Sequence, residues 1–172
     1  IDDFAHEIAI LSLWLAEHQM NIIFEEKLFE YAEVASILPL KSVGNIQQGN
    51  ATRINWEKIC PISDSDEVYI IGNPPYWGAA KMTQAQKQDL AQITNNSGKL
   101  DYVAGWFLIA KKYIKNKNAK CALVATNSIC QGEQVELLWN KILDDNIEID
   151  FAHTSFLWKN NAIGNAGVTV II

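Results

Sequence analysis

The segment YIIGNPPYWG, residues 69–78, holds two adjacent prolines between the amide side chain of Asn73 and the aromatic ring of Tyr76. Proline fixes its own φ, lacks an N–H and keeps the preceding residue out of the helical region. The Pro74 carbonyl and the Asn73 side-chain oxygen are therefore two acceptors on one stiff stretch of backbone. Such a pair suits a planar NH2 group, and the Tyr76 ring offers a face for stacking.

This pair of acceptors predicts a group transfer to an amine. An amine on an aromatic ring is a poor nucleophile because its lone pair is delocalised into the ring. Two oxygens that hold its hydrogens favour a pyramidal nitrogen and stabilise the charge developing there. The nitrogen can then attack a methyl sulfonium in line, without a prior general base, and the segment contains no His, Asp or Glu. A proline-ended strand with ordinary aromatic packing explains the same four letters, which also occur by chance.

The surrounding pattern places this segment at the end of a buried strand. Strand-like apolar runs cover residues 67–76, 119–127, 147–156 and 166–172, and a short strand is expected in GNIQQGNA, residues 44–51. Helical periodicity covers residues 2–21, 83–93, 100–116 and 132–145. Thr83 and Gln86 are spaced as a capping box, and Asp101 is expected to cap its helix.

The alternation of strands and helices predicts an α/β fold with a mostly parallel sheet. The last two strands are joined by a loop too short for a helical crossover, so they are expected to pair antiparallel at one edge. Open sheets of this class bind ligands beyond the carboxyl ends of their strands, which is where NPPY lies.

Composition limits the class of protein. The 172 residues are 49% hydrophobic and 20% charged, with a net charge of −6, as expected of one cytoplasmic globular domain. The negative charge argues against a free-standing nucleic-acid-binding module. No run is long enough to span a membrane. The three cysteines are expected to be reduced thiols, and no Cys/His spacing suits a metal.

Several segments in order resemble the motifs of gamma-type, S-adenosylmethionine-dependent DNA adenine-N6 methyltransferases, in particular MmeI-like restriction–modification enzymes. These are IDDFAHEIAILSLWLAEHQMN, QQGNATRINW, IIGNPPYWG, LDYVAGWFLIAKKYI, LVATNSICQGEQV and FLWKNNAIGNAGVTVII. The resemblance covers essentially all of residues 1–172 and implies a Rossmann-like class I methyltransferase fold. It also implies double-stranded DNA as the partner, with the target adenine flipped out of the helix.

The resemblance assigns roles by position. Asn73, Pro74, Pro75 and Tyr76 match the clamp and stacking ring for the target amine. Ile1 and, less clearly, Asp2 would contact the cofactor adenine, with Asn50 bonding its amino group and Ala51 beside the ring. Phe156 matches the aromatic residue on the other face of the flipped base, and Trp158 competes with it for this role.

The chain also departs from the family pattern. The Gly-rich loop that holds the methionine part of the cofactor, and the first strand before it, have no counterpart here. We therefore expect a fragment of a longer protein, inactive by itself, with a DNA-recognition domain and an optional nuclease in the same polypeptide. The alternatives are a glutamine-amide or RNA-base amino-methyltransferase, and a non-catalytic remnant of the fold.

Overall fold

The computed structural model describes residues 3–27, 46–95, 98–143, 146–158 and 168–172. Five α-helices are assigned within these ranges: α1 Asp3–Lys27, α2 Trp56–Ile59, α3 Gln84–Thr94, α4 Ala104–Ile114 and α5 Asn140–Ile142. The strands are β1 Val68–Gly72, β2 Ala119–Leu123, β3 Ala125–Thr126, β4 Phe156–Trp158 and β5 Val168–Ile171. A 3₁₀ turn at Asn127–Cys130 and a π-helical turn at Val135–Trp139 complete the assignment.

The strands form one parallel pair and one antiparallel sheet. β1 pairs with β2 in parallel, with Val68 opposite Ala119 and Gly72 opposite Leu123. The second sheet has the order β3–β5–β4, and both of its pairings are antiparallel. The α/β class and the antiparallel pairing of the last two strands are thus confirmed, although the parallel part is smaller than predicted.

The predicted strand at 119–127 changes partner in its middle. The Val124 N–H still donates to the Gly72 carbonyl at 2.9 Å, which extends the β1–β2 ladder by one bond. Ala125 and Thr126 then pair with Ile171 and Val170 of β5. A single continuous segment therefore links the two sheets at the carboxyl end of β1.

Helices α3 and α4 cover the core of this part of the chain. The Thr83 hydroxyl and the Gln86 side chain form both bonds of the predicted capping box at the start of α3. The buried residues of α4 are Ala104, Gly105, Ala110 and Tyr113. The residues that are no more than 2% exposed include Leu90, Leu100, Val103, Ala104, Ala125, Ile129 and Leu138.

Three predictions about strands are wrong. Residues 46–50 form no strand, because no described strand lies beside them, and the Gln48 side chain instead donates to Asp3 at 2.6 Å. Only Phe156 onward is strand in the run 147–156, since pairing with β5 begins there. β1 was predicted to be a buried strand, but Tyr69 is 62% and Ile71 82% exposed.

The chain divides into two compact units. The first holds residues 1–50 and 54–61, with α1 and α2 as its described helices. Within it, the segment 46–48 meets the start of α1, where the His6 ring lies 3.5 Å from the Ile46 carbonyl oxygen. The second unit holds residues 51–53 and 62–172, with both sheets and the core described above. No described helix is long and apolar enough to cross a membrane.

Candidate active site

The loop that follows β1 is built from residues of alternating exposure. Asn73 and Pro75 are exposed, Pro74 is buried and Tyr76 is half-buried. The buried Pro74 anchors the loop by packing. The Gly72 carbonyl accepts a hydrogen bond from the Val124 N–H, which holds the end of the strand before the loop. Since every residue from Asn73 to Pro75 either is a proline or precedes one, few backbone rotations remain open in this loop.

Neither predicted acceptor in this loop is occupied by a donor from the described residues. None of those residues donates a hydrogen bond to the Asn73 side chain or to the Pro74 carbonyl. Tyr76 packs with part of its side chain against the hydrophobic core and leaves the rest open. Asn73 and Tyr76 are therefore not sealed inside packing, whereas Pro74 is buried.

The far end of the loop is tied to the start of α4. The Trp77 carbonyl accepts the Tyr102 N–H at 3.2 Å, and the Trp77 N–H faces the Asp101 carboxylate and favours its charged form. Asp101 also accepts the Val103 N–H at 3.2 Å and the Thr126 hydroxyl at 3.5 Å. The loop is thus held at both ends, by a strand ladder before it and by Asp101 and Tyr102 after it.

Asp101 is a buried carboxyl group, with only 5% of the residue exposed. Burial raises its pKa, and the hydrogen bonds from the Val103, Trp77 and Tyr102 N–H groups and from the Thr126 hydroxyl oppose that rise. The sequence suggested a helix cap, but the cap position of α4 is Val103, which makes no side-chain cap bond. The Asp101 carboxylate accepts the Val103 N–H in the turn before the helix, and its contact with Trp77 lies across the fold and had no local signal.

Phe156 lies on the antiparallel sheet that begins beside Asp101. Thr126, Val170 and Phe156 stand opposite one another on β3, β5 and β4. Two strand spacings put the Phe156 Cα about 10 Å from that of Thr126. The Phe156 ring is half-buried and packs edge to face with the His153 ring, with 6.0 Å between the ring centroids. Trp158 lies two residues further on, where β4 pairs with Val168.

Asn50 and Ala51, predicted to contact the cofactor, are half-buried at a turn. The Asn50 carbonyl accepts the Ile54 N–H at 3.1 Å. The turn residues 51–53 are anchored elsewhere: the Arg53 Nε donates to the Asp89 carboxylate of α3 at 2.8 Å. Ile1 and Asp2 lie outside the described residues, so their predicted roles stay predictions.

A second buried group supports this turn and was not foreseen from the sequence. The Tyr102 hydroxyl lies 3.4 Å from the Thr52 hydroxyl and donates to Asp89 at 3.4 Å. Neighbouring residues 101 and 102 thus hold two different loops, because one side chain points to Trp77 and the other to Thr52.

Within the described ranges, no group of three His, Cys, Asp or Glu side chains could hold a metal.

Comparison with known proteins identifies the class. The sequence profile described as "MmeI, DNA-methyltransferase domain" matches residues 1–172. The chain is 46% identical over 175 residues to DNA methyltransferase A of Bacillus subtilis (strain 168). The aligned region includes 100% of this chain and 20% of that protein. It therefore belongs to the MmeI family of DNA-methyltransferase domains.

A solved structure matches the fold as well. The type IIL restriction–modification enzyme MmeI in complex with DNA superposes with a TM-score of 0.85 at 41% sequence identity. The match covers 99% of this chain and 23% of that one. The chain thus spans about a fifth of the length of the relatives it matches.

Proposed function

We propose that this chain is the catalytic part of a cytoplasmic DNA methyltransferase that transfers a methyl group from S-adenosylmethionine to the N6 amine of adenine. The observation that carries the proposal is the pair of unbonded oxygen acceptors, on Asn73 and Pro74, at the carboxyl end of β1. They stand on a loop with two trans prolines, held at both ends by hydrogen bonds.

The clamp acts on the amine of the target base. The Asn73 side-chain oxygen and the Pro74 carbonyl each accept one N–H of that amine. As the new bond forms, positive charge grows on the nitrogen, and the two fixed dipoles stabilise it without having to reorient. The nitrogen proton becomes acidic only at that stage and is released to solvent, so no basic side chain is required in the loop.

Two aromatic rings are proposed to hold the base. Tyr76, half-buried at the clamp, stacks on one face of the flipped adenine, and Phe156 packs against the other, with Trp158 as the alternative. The row from Thr126 to Phe156, joined to Trp77 through Asp101, gives the two ring-bearing elements a fixed relation. Flipping is required because the N6 atom is not open to in-line attack inside a duplex.

The residues present suit the proposed methyl donor. Residues 73–79 carry oxygen acceptors and aromatic rings but no cationic side chain, so a sulfonium meets no like charge there. Asn50 would accept a hydrogen bond from the adenine amine of the cofactor, with Ala51 beside that ring. Ile1 and Asp2 are proposed to complete this contact. When bound, S-adenosylmethionine supplies an activated methyl group.

The DNA partner and the further domains are inferred from the relatives. One relative is named a DNA methyltransferase, and another is a restriction–modification enzyme solved with DNA. Because these relatives are about five times as long, we place the DNA-recognition domain, and a nuclease where one exists, in other parts of the natural polypeptide.

The test uses the full-length natural protein, DNA and isotopically labelled S-adenosylmethionine, followed by nucleoside analysis. We expect N6-methyladenine as the product and a loss of about 100-fold or more in rate for Asn73→Ala, the scale of losing one fixed charge-stabilising contact. Asn118→Ala is the matched control. Asn118 is an exposed asparagine at the opposite, amino-terminal end of the β1–β2 pair, so its loss leaves the rate unchanged.

Other products would redirect or end the proposal. Label on a protein glutamine, or on RNA but not DNA, would assign the same clamp to a different amine. N4-methylcytosine would keep the clamp and change the base. An Asn73→Ala protein as active as the Asn118→Ala control would refute the clamp itself.

A further inference from the structure

The mechanism proposed above makes no direct use of Asp101, although this carboxyl group is buried at the centre of the site. It accepts hydrogen bonds from the Val103 N–H before α4 and from the Thr126 hydroxyl of β3, and it faces the Trp77 N–H of the loop. Its own N–H donates to the Gln134 side chain at 3.2 Å. One residue thus joins four segments of the chain around the proline loop.

The bond to Trp77 has a geometric consequence for Tyr76. The N–H of Trp77 belongs to the planar peptide group that also contains the Tyr76 carbonyl and Cα. A contact that orients this N–H therefore also orients the plane in which the Tyr76 backbone leaves the loop. The Tyr102 N–H, bonded to the Trp77 carbonyl at 3.2 Å, fixes the next peptide plane as well.

The loop has little freedom except at this end. Proline rings restrict the backbone from Asn73 to Pro75, and the ladder bond from Val124 to the Gly72 carbonyl fixes the strand before them. The main remaining rotations are those of Tyr76. The contact with Asp101 and the hydrogen bond from Tyr102 to Trp77 restrict these rotations, and with them the direction in which the Tyr76 side chain leaves the backbone.

We propose that Asp101 is a positioning residue for methyl transfer. Together with the adjoining Tyr102 N–H, which bonds the Trp77 carbonyl at 3.2 Å, it sets the orientation of the Tyr76 ring relative to the acceptors of Asn73 and Pro74. The inference rests on the proposed function of the Asn73–Tyr76 loop. A residue that merely starts a helix would stabilise α4 without affecting the chemical step, and this difference can be measured.

The test compares two buried residues in the full-length protein. Asp101→Asn keeps the shape of the side chain but leaves one acceptor oxygen where the carboxylate has two. Thr94→Val is the control: Thr94 is 1% exposed, and its hydroxyl donates to the Leu90 carbonyl of its own helix α3 at 2.7 Å.

The readouts are kcat and KM for DNA and for S-adenosylmethionine, together with the melting temperature. Asp101→Asn is expected to lower kcat by about 10- to 100-fold, because misplacing a reacting group by about 1 Å costs on the order of 100-fold. KM for DNA stays within about 3-fold, since the phosphate contacts that dominate DNA affinity are untouched. Thr94→Val is expected to keep the wild-type kcat, whatever its melting temperature.

A second variant covers the case in which Asp101→Asn does not fold. Thr126→Val keeps the side-chain volume and removes only the hydroxyl that bonds Asp101. It is expected to lower kcat by about 2- to 5-fold with unchanged KM, because the carboxylate loses one long hydrogen bond.

The outcomes separate this inference from the proposed function. If Asn73→Ala is inactive while Asp101→Asn, or Thr126→Val in its place, keeps the wild-type kcat, the positioning role is wrong and the clamp stands. A fall in kcat that Thr94→Val reproduces at an equal loss of melting temperature also overturns the positioning role. If Asn73→Ala is fully active, the proposed function fails, and a kcat loss in Asp101→Asn could no longer be explained through the clamp.

Discussion

The stiffness of the proline loop can be tested by relaxing one proline at a time. The ring of Pro75 restricts the ψ angle of Pro74 and therefore the direction of the Pro74 carbonyl. The ring of Pro74 restricts Asn73 in the same way. Replacing Pro75 with alanine should thus free one of the two acceptors without removing any atom that contacts the substrate.

The two prolines are expected to differ in their effect on stability. Pro75 is exposed. Pro75→Ala should therefore lower the free energy of unfolding by only about 0.4–1 kcal/mol, because the unfolded chain gains conformational entropy. Pro74 is buried. Pro74→Ala adds the loss of about two buried CH2 groups at about 0.8 kcal/mol each, for a total of about 2–2.6 kcal/mol. Urea unfolding of the full-length variants measures both values.

The effect on the rate should not follow this order. Pro75→Ala is expected to lower the single-turnover rate of methyl transfer by about 10-fold despite its small stability cost, because a misdirected acceptor weakens the transition state. The matched control is Pro61→Ala, an exposed proline outside the loop, with a similar entropic cost and an unchanged rate.

Two results would refute this reasoning. A Pro75→Ala protein with the wild-type rate would show that the carbonyl needs no stiff support. Equal losses of stability for Pro74→Ala and Pro75→Ala would show that burial of the Pro74 ring does not stabilise the protein.

Two further predictions concern the titration of single groups. Because burial raises the pKa of Asp101 in the folded protein, its contribution to stability is present below the ordinary aspartate pKa and is lost as pH rises through the folded pKa. Wild type should therefore lose stability relative to Asp101→Asn over that interval in urea unfolding, and a constant difference would contradict the burial argument. Burial raises the pKa of Cys121 to about 11, so its thiolate fraction near pH 7 is on the order of 10⁻⁴. Iodoacetamide should label the exposed Cys130 about 10-fold or more faster than Cys121 by peptide mass spectrometry, whereas equal rates would mean that β2 opens readily.

Local features of the chain were predictable because their physical causes are local. The capping box depends on two side chains three residues apart, and it forms as predicted. The end of β1 before Asn73 follows from two prolines that cannot continue a ladder. Family membership was also predictable, since motif order is a property of the sequence, and the match over residues 1–172 confirms it.

Strand limits were predicted less well because a strand exists only where another strand supplies hydrogen bonds. The apolar run at 119–127 reads as one strand, but its partner changes from β1 to β5 at Val124. The run at 147–156 is strand only from Phe156, where β5 begins to pair with it. Neither limit is encoded in the residues of the run itself.

The sequence by itself determined the chemistry of the loop: two acceptors, a stacking ring and the stiffness that prolines impose on their neighbours. Only the tertiary structure decided what holds that loop in place. Asp101 lies 24 positions after Trp77, and its neighbour Tyr102 reaches back 50 positions to Thr52. Such bonds depend on how α4 packs beside β1 and β3, so no local pattern of residues could have predicted them.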